Sequence, residues 1–581
     1  MFEKELLSLL KKEVGSLEAS QLDSEQKRAG LVGEEIPLEA SSVPEFGDFA
    51  FPCFILAKKL KKSPVQIAVD LAKKLNNKKP GFVAKVEARG PYVNFFIDSS
   101  YLGRKVLAEI FSERGKYGAE NWGKGKTVVI DYSSPNIGKP FHFGHLRSTV
   151  IGNSLYLLHK FFGYKVVRVN HIGDWGTQFG ALIAAHLKWG DRKKLEKEPI
   201  KYLLDLYVRF NREVEKKPEL QEEAKQWFKK LEDGDAEALK LWGKFKHLSL
   251  DEFRRIYKIM GIEFDSFDGE SFYNDKIEPL IAAIKNKKIA EINDGALVVM
   301  MQKGIPPCIL KKSDGASTYA ARDLAGIKFR MEAYKPEKIL YVVGAEQRLH
   351  FMQIFNIAHK MKLDHCSLLH IPFGLYLSAS GEKMATRKGE TVMLSNVLQE
   401  TIAKAKKAIE DKNPELKNKD KVAAQVAIGA IIFGDLMNDR VKDVVFDWDK
   451  ILDFEGDTGP YLQYTHTRAC SIIRKAKERK LVPGARVDFS KLGGDAEQRV
   501  VKLLSEFGDK IDEAIVHYKP HIVAQYLLEL ARTFSEFYHS SPVLQETDEQ
   551  TKKARLLLVG CTRQVLKNGL GLLGIEAPEE M

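Results

Sequence analysis

The chain has 581 residues, long enough for three or four domains. Hydrophobic residues make up 44% and charged residues 29%, an ordinary soluble globular balance, and 91 basic against 79 acidic residues leave a net charge of +12. That surplus suits a polyanionic partner such as RNA; five scattered cysteines with no Cys-x-x-Cys exclude a zinc ribbon or a redox pair, and no apolar run approaches the ~18 residues of a membrane span.

Met1-Phe2-Glu3-Lys4-Glu5 carries no apolar signal region and its acids argue against a transit peptide, so a cytoplasmic location is expected. Residues 1–118 read as a separate α+β unit. Helical stretches Glu3–Glu13 and Ser63–Leu75 flank a loop-rich segment, and strands Phe82–Ala88 and Tyr92–Ile97 meet across Arg89-Gly90-Pro91. The lysines at 58–62 are either a solvated face or an RNA contact. From 119 to 400 strands alternate with helices, which implies a parallel sheet. Its strands are expected at Thr127–Tyr132, Val166–Asn170, Ile339–Val343 and Leu368–Pro372. Two insertions interrupt it. One is a charged helical block at about 190–260; the other, about 265–315, holds a hairpin at Lys288–Met301 turning at Asn293-Asp294-Gly295. Residues 401–454 read as a helical connection and 455–581 as an all-helical domain, with helices at Val422–Phe433, Tyr461–Lys475, Ile522–Tyr538 and Ala554–Leu572. No strand is expected after residue 401.

The chemistry concentrates where the first of these strands ends. Ser133-Ser134-Pro135-Asn136 breaks the strand, and helical spacing begins at Leu146 and closes at Gly163. Between them lies Phe141-His142-Phe143-Gly144-His145. A strand-to-helix junction in an open α/β sheet is where phosphate-bearing ligands bind. Two imidazoles there can donate to a triphosphate as its charge grows, and Gly144 lets a nucleotide approach. Alone, the pair reads equally well as two partly buried histidines. A second loop, Ser380-Gly381-Glu382-Lys383-Met384-Ala385-Thr386-Arg387-Lys388-Gly389, is cationic with glycines near both ends, suited to closing over phosphates. Tyr319 and Asp323, four residues apart, share a helix face. A carboxylate there could receive a cationic ligand. The bland alternative is a surface charge near a helix end.

The stretch from Asp131 through Thr149 closely resembles the first catalytic motif of arginyl-tRNA synthetases, which are class I aminoacyl-tRNA synthetases. Gly47-Asp48-Phe49 and Arg89–Phe95 resemble that family's tRNA-binding N-terminal domain, and Tyr461–Arg468 and Leu572–Pro578 its anticodon-binding domain. The resemblance implies a Rossmann-type parallel-sheet catalytic domain with insertions, an α+β N-terminal domain and an all-α C-terminal domain. It implies His142, His145, Lys139, Lys383 and Lys388 as catalytic residues. In the second loop Ala385 and Thr386-Arg387 depart from Lys-Met-Ser-Lys-Ser, so Lys139 is expected to supply the missing charge at the α-phosphate, with Lys388 as helper. ATP is expected against Phe143, Gly144, His145, Met384 and the backbone of Gly374 and Leu375. L-arginine is expected against Asp131, Ser133, Asn136, His142, Tyr319, Asp323 and Gln347, with Asp131 and Asn136 receiving the α-amino group. His171-Ile172-Gly173-Asp174 looks like the literal class I motif, but Asp replaces the second histidine and no matching helix is expected after it; it reads as a second wall, with Gln178 facing the pocket.

The implied reaction is arginine–tRNA ligation: ATP activates arginine as the adenylate, and the 3′-terminal adenosine of tRNA(Arg) accepts it. Mg²⁺ accompanies ATP, no zinc or other dedicated metal site is expected, no editing domain is expected, and the family suggests a monomer that needs tRNA even for activation. Rivals remain: a small-acid nucleotidyltransferase, which would not need the helical domain at 455–581, a synthetase for cysteine or glutamate, and a non-catalytic RNA-binding paralogue.

Overall fold

The computed structural model describes residues 2–21, 37–41, 44–363, 365–377, 381, 386–387, 390–391, 393–445, 451–482, 484 and 486–581. The chain divides into two compact units, each assembled from separate stretches.

One unit comprises Met1–Tyr117, Ala469–Phe507 and Leu530–Val565. Its sheet orders Glu39–Ala40, Phe49–Pro52, Tyr92–Ile97 and Val83–Arg89 side by side, all antiparallel. Both expected strands form, and the apolar run after Asp48 supplies a third before turning into the helix Phe54–Leu60. Leu6 and Leu10 of the helix Glu3–Gln21, and Ile67, Leu71 and Leu75 of the helix Pro64–Lys78, bury against Phe51, Val93 and Phe95. Asp48 accepts from the Ile97 amide, and Gly47 (φ +81°) must be glycine because a Cβ would come within 2.6 Å of the Phe95 carbonyl. The Tyr117 hydroxyl donates to the Leu504 carbonyl at 2.9 Å.

The other unit comprises Gly118–Arg468, Gly508–Glu529 and Leu566–Met581. Four parallel strands form its sheet: β1 (Thr127–Asp131), β2 (Lys165–Val169), β3 (Lys338–Tyr341) and β4 (Ser367–His370), in the order β4-β3-β1-β2. Val128, Val129 and Ile130 are fully buried, as expected of a central parallel strand covered on both faces. The register pairs Asp131 with both Val169 and Tyr341, and Tyr341 with His370. The carboxyl ends of all four strands are therefore level, and the loops that leave them share one edge.

Helix α1 (Leu146–Phe161) follows β1 and is buried nearly all round, so that Arg147, Ser148, Thr149, Asn153, Ser154 and His159 are buried along with its apolar residues. Gly152 lies directly on the Tyr132 ring, and a Cβ there would collide with it. Helix α2 (Thr177–Trp189) begins three residues after Asp174. This corrects the expectation that no helix follows His171–Asp174; Gly176 (φ +139°) breaks the chain just before the helix starts. The block at 190–260 is helical as expected, ending in α3 (Ala236–Ile259). The hairpin turns at Asp294-Gly295, both at positive φ, and a further strand, Cys308–Lys311, extends it to three strands. Helices α4 (Tyr319–Tyr334) and α5 (Arg348–Lys360) flank β3. The helix Leu394–Lys412 runs through residue 400. Beyond it one expectation fails: Val444–Val445 is a short strand, pairing in parallel with Tyr376–Leu377. Two residues are too few to show a period, so its formation depends on the partner strand.

Candidate active site

The turn after β1 is held from several sides. Ser133 and Ser134 adopt positive φ (76° and 50°), a strained geometry that their partners fix. The Ser133 amide donates to Ser148 Oγ of α1 at 2.9 Å, and the Ser134 amide to Asn170 Oδ1 at 3.1 Å. Ser133 Oγ lies 2.7 Å from the Tyr257 hydroxyl of α3 and receives the Thr149 hydroxyl at 2.8 Å. Ser133, expected at the arginine, is thus buried and fully engaged in bracing the turn. Asn136 is exposed beside Gly173, whose amide and carbonyl pair with Pro135 and Ile137. A side chain on Gly173 would collide with Asn136 Oδ1. The second-wall stretch and the first motif therefore meet backbone to backbone.

His142 and His145 stack with ring centroids 3.8 Å apart. The His142 amide donates to His145 Nδ1 at 3.3 Å, and the Gly144 amide donates to His142 Nδ1 at 3.0 Å. Both Nδ1 atoms accept, so each neutral ring carries its proton on Nε2. A Cβ on Gly144 would sit 2.8 Å from the His142 ring, so glycine permits this fold-back. Burial pushes His145 down to about 3, with His142 and Lys139 adding repulsion. Burial and then Lys139 also lower His142. Both rings are therefore uncharged donors at neutral pH. Lys139 itself lies 5.6 Å from the Tyr207 ring. Phe143 opens the short turn Phe143–His145; its side chain lies outside the described residues.

Lys383, Met384 and Lys388 of the second loop lie outside the described residues. The backbone of Thr386–Arg387 pairs with Glu390–Thr391 as a hairpin. The chain leaving that loop returns to the first motif, where Met393 bridges His142 and the Leu394 amide donates to the Phe141 carbonyl at 3.0 Å. The base of the loop is anchored by a buried cluster. Arg147 of α1 meets Asp435 at 3.1 Å, and the Tyr376 hydroxyl donates to the same carboxylate. Burial pushes the Asp435 carboxyl up, against the pull of Arg147. The amides of Gly374 and Leu375, expected to frame adenine, donate to the Arg440 carbonyl at 2.9 Å and to Asp443 at 2.6 Å.

On the opposite side of the sheet edge, α4 carries Tyr319, Asp323 and Arg330. Asp323 accepts from His350 Nε2 at 2.6 Å, and His171 Nε2 stands 3.6 Å from its other oxygen. Burial would raise its pKa; the His350 hydrogen bond and the charges of His171, His350 and Arg330 bring it below the usual carboxylate value. Tyr319 is exposed, its ring 4.8 Å from that of His350. Gln347 is exposed in the turn before α5. Asp131 is 5% exposed and paired with Arg330 at 2.7 Å, while Ser134 Oγ donates to its other oxygen at 3.2 Å. Asp131 thus enters the site already countercharged. Asp174, the residue in place of the second histidine, is fully buried between Ser271 and Lys246 and ties the insertion to the sheet.

The sequence reading missed His350, Arg330 and Glu270. Burial pushes Glu270 up to about 7, opposed by Arg322 and reinforced by Asp323 and Asp174, so a second carboxyl shares the field around Asp323. The available signals were weak: His350 follows Gln347 by three residues, and Arg330 follows Asp323 by seven on one helix.

Residues 106–448 match the catalytic domain of class I (R) tRNA synthetases, 462–581 the DALR anticodon binding domain, and 6–97 the arginyl tRNA synthetase N terminal domain. The chain is 48% identical over 546 residues to the arginine–tRNA ligase of Clostridium kluyveri, covering 94% of this chain and 96% of that one. It is 46% identical over 573 residues to that of Clostridium perfringens, covering 96% and 100%. The solved arginyl-tRNA synthetase of Thermus thermophilus aligns with a TM-score of 0.78 at 26% identity, over 98% of this chain and 100% of that one. The chain belongs to the arginyl-tRNA synthetase family of class I aminoacyl-tRNA synthetases.

Proposed function

We infer that this chain activates L-arginine with ATP and transfers it to tRNA(Arg). The supporting observation is a pair of neutral histidines in the loop that leaves β1, with the Asp323 carboxylate set against His171 and His350, which follow β2 and β3. An arginine carboxylate oxygen attacks the α-phosphorus of ATP; the bond from that phosphorus to the bridging oxygen breaks, and pyrophosphate leaves. The terminal ribose hydroxyl of the tRNA then attacks the adenylate carbonyl, its proton is lost, and AMP leaves; class I enzymes use the 2′-hydroxyl. No side-chain nucleophile is required. The rate comes from positioning and from donors aimed at charge that grows in the transition state.

A neutral imidazole with its proton on Nε2 can still donate one hydrogen bond to a phosphate oxygen, so lowered pKa values do not remove that role. In this reading His142 and His145 bind the phosphates, Lys139 meets the α-phosphate, and Lys383 and Lys388 close over the leaving group. Phe143, Gly144 and Met384 border ATP, and the backbone near Gly374 and Leu375 frames its base. Asp323, Tyr319 and Gln347 take the guanidinium end; Asn136, with Asp131 beneath it, takes the α-amino group. Mg²⁺ would accompany ATP and offset the charge of its phosphates. Residues 1–118 and 455–581 serve the tRNA, 119–400 the chemistry, with 401–454 as connection, in a cytoplasmic monomer.

ATP–pyrophosphate exchange with each of the twenty amino acids, with and without total tRNA, tests the reading. Exchange with arginine alone, and only when tRNA is present, is the expected result. Exchange with another amino acid overturns the arginine pocket; exchange with arginine in the absence of tRNA overturns the tRNA dependence only.

A further inference from the structure

We propose that His350 is the positioning residue for arginine selection, holding Asp323 and Tyr319 together in the arrangement that receives the guanidinium. The proposal rests on the reading that Asp323 and Tyr319 meet the substrate. His350 is 7% exposed and lies in the first turn of α5. Its Nε2 donates to Asp323 Oδ2 at 2.6 Å, and its ring packs 4.8 Å from that of Tyr319. Gln347, expected at the guanidinium or carboxylate of the substrate, lies three residues before it. One helix start therefore supplies one recognition residue directly and fixes two others through a single imidazole.

Geometry explains why such a brace is needed. The terminal torsion of an aspartate is broad, so an unanchored carboxylate samples many planes. Bidentate pairing with a guanidinium demands one plane. At Asp323 the oxygens are unequal. Oδ2 is committed to His350, whereas His171 stands 3.6 Å from Oδ1, too far for a good hydrogen bond. Each carboxylate oxygen has two acceptor sites, so Oδ2 can hold His350 and still face the ligand beside Oδ1, in a plane that His350 sets. Tyr319 is the first residue of α4 and 62% exposed, so its ring needs a neighbour to hold it over the site. An imidazole also suits the position chemically: its rigid ring aims a single N–H at Asp323.

The test measures tRNA-dependent pyrophosphate exchange by the full chain. His350→Leu keeps bulk and removes the donor. It should raise the KM for arginine about tenfold or more, roughly 1.4 kcal/mol of binding, while the KM for ATP stays within about twofold. His350→Gln should recover most of the loss, because its amide N–H can reach the place of Nε2. His350→Asn falls short of Asp323 and should behave like His350→Leu, so it carries the test if the leucine variant does not fold. An unchanged arginine KM in both His350→Leu and His350→Asn overturns the proposal. So does an equal rise in both KM values, or a glutamine variant no better than the leucine one. Asp323→Asn separates the two levels: normal arginine KM in that variant sinks the underlying site reading, whereas its loss alongside a normal His350→Leu sinks only the brace.

Discussion

An imidazole buried without a countercharge stays neutral, and two such rings give the stability a measurable pH dependence. His145 is held down at about 3 and His159 at about 4, both chiefly by burial, whereas in the unfolded chain each titrates near 6.5. As pH falls below about 6.5 the unfolded chain takes up these protons and the folded chain does not. The stability they contribute is present above that pH and is lost on acidification, at about 1.4 kcal/mol per pH unit per histidine. Glu270 acts in the opposite sense. Its folded value near 7 exceeds its unfolded value near 4.5, so the folded chain holds the extra proton between those values. These losses, to which the burial-lowered His142 adds, outweigh the gain from Glu270 and leave a net fall in urea midpoint from about pH 6.5 to 5. His159→Gln should flatten that fall and Glu270→Gln should steepen it; a midpoint insensitive to both replacements would contradict the burial argument. At the same scale, Asp323→Ala should abolish arginine activation while tRNA binding by filter retention is unchanged. The His142–His145 site was legible because its parts lie three residues apart. The pairs Asp323–His350 and Asp131–Arg330 were not, because their partners are distant in sequence and only the packing of α4 and α5 against β1 and β3 brings them together.

Helix α1 shows how an element's sequence is set by what lies against it. Gly152 is demanded by the Tyr132 ring, whereas Gly243 in the middle of α3 has open space where its Cβ would be. Gly152→Ala should therefore cost about 1–3 kcal/mol through overpacking. It should also reduce exchange activity, since Tyr132 immediately precedes the braced turn. Gly243→Ala should instead stabilise by roughly 0.5–1 kcal/mol, as expected for alanine replacing glycine in a helix interior. Thermal midpoints moving in opposite directions would bear out both. The four parallel strands were readable to within two residues because central strands are continuous apolar runs, and the hairpin because Asn-Asp-Gly announces its turn. The strands Glu39–Ala40, Cys308–Lys311 and Val444–Val445 were not. They have two to four residues each, and their hydrogen-bonding partners rather than their composition make them strands.

For the whole molecule the net charge of +12 becomes a binding property only if it meets phosphate. Affinity for tRNA should fall linearly on a log–log plot against salt between about 50 and 200 mM, each released counterion adding to the slope. The KM for arginine, which on the proposed reading depends on the largely buried Asp323, should vary far less over the same range. A salt-independent tRNA affinity would mean that the basic surplus serves some other purpose. Three sequence domains could be proposed from composition and motifs alone. The two compact units could not, because each is stitched from three separate stretches and no local pattern reveals which distant helices will share a core.

One of those units joins the first 117 residues to stretches that end at residue 565. On the ribosome these partners appear roughly 450 residues apart, which at ~5–20 residues per second means a delay on the order of half a minute to a minute and a half. During that interval the N-terminal sheet exists without the helices that complete its unit, including the Leu504 carbonyl that receives the Tyr117 hydroxyl. Synthesis order therefore exposes the earliest-made part of this chain for longest, and makes it the part with most to gain from a chaperone.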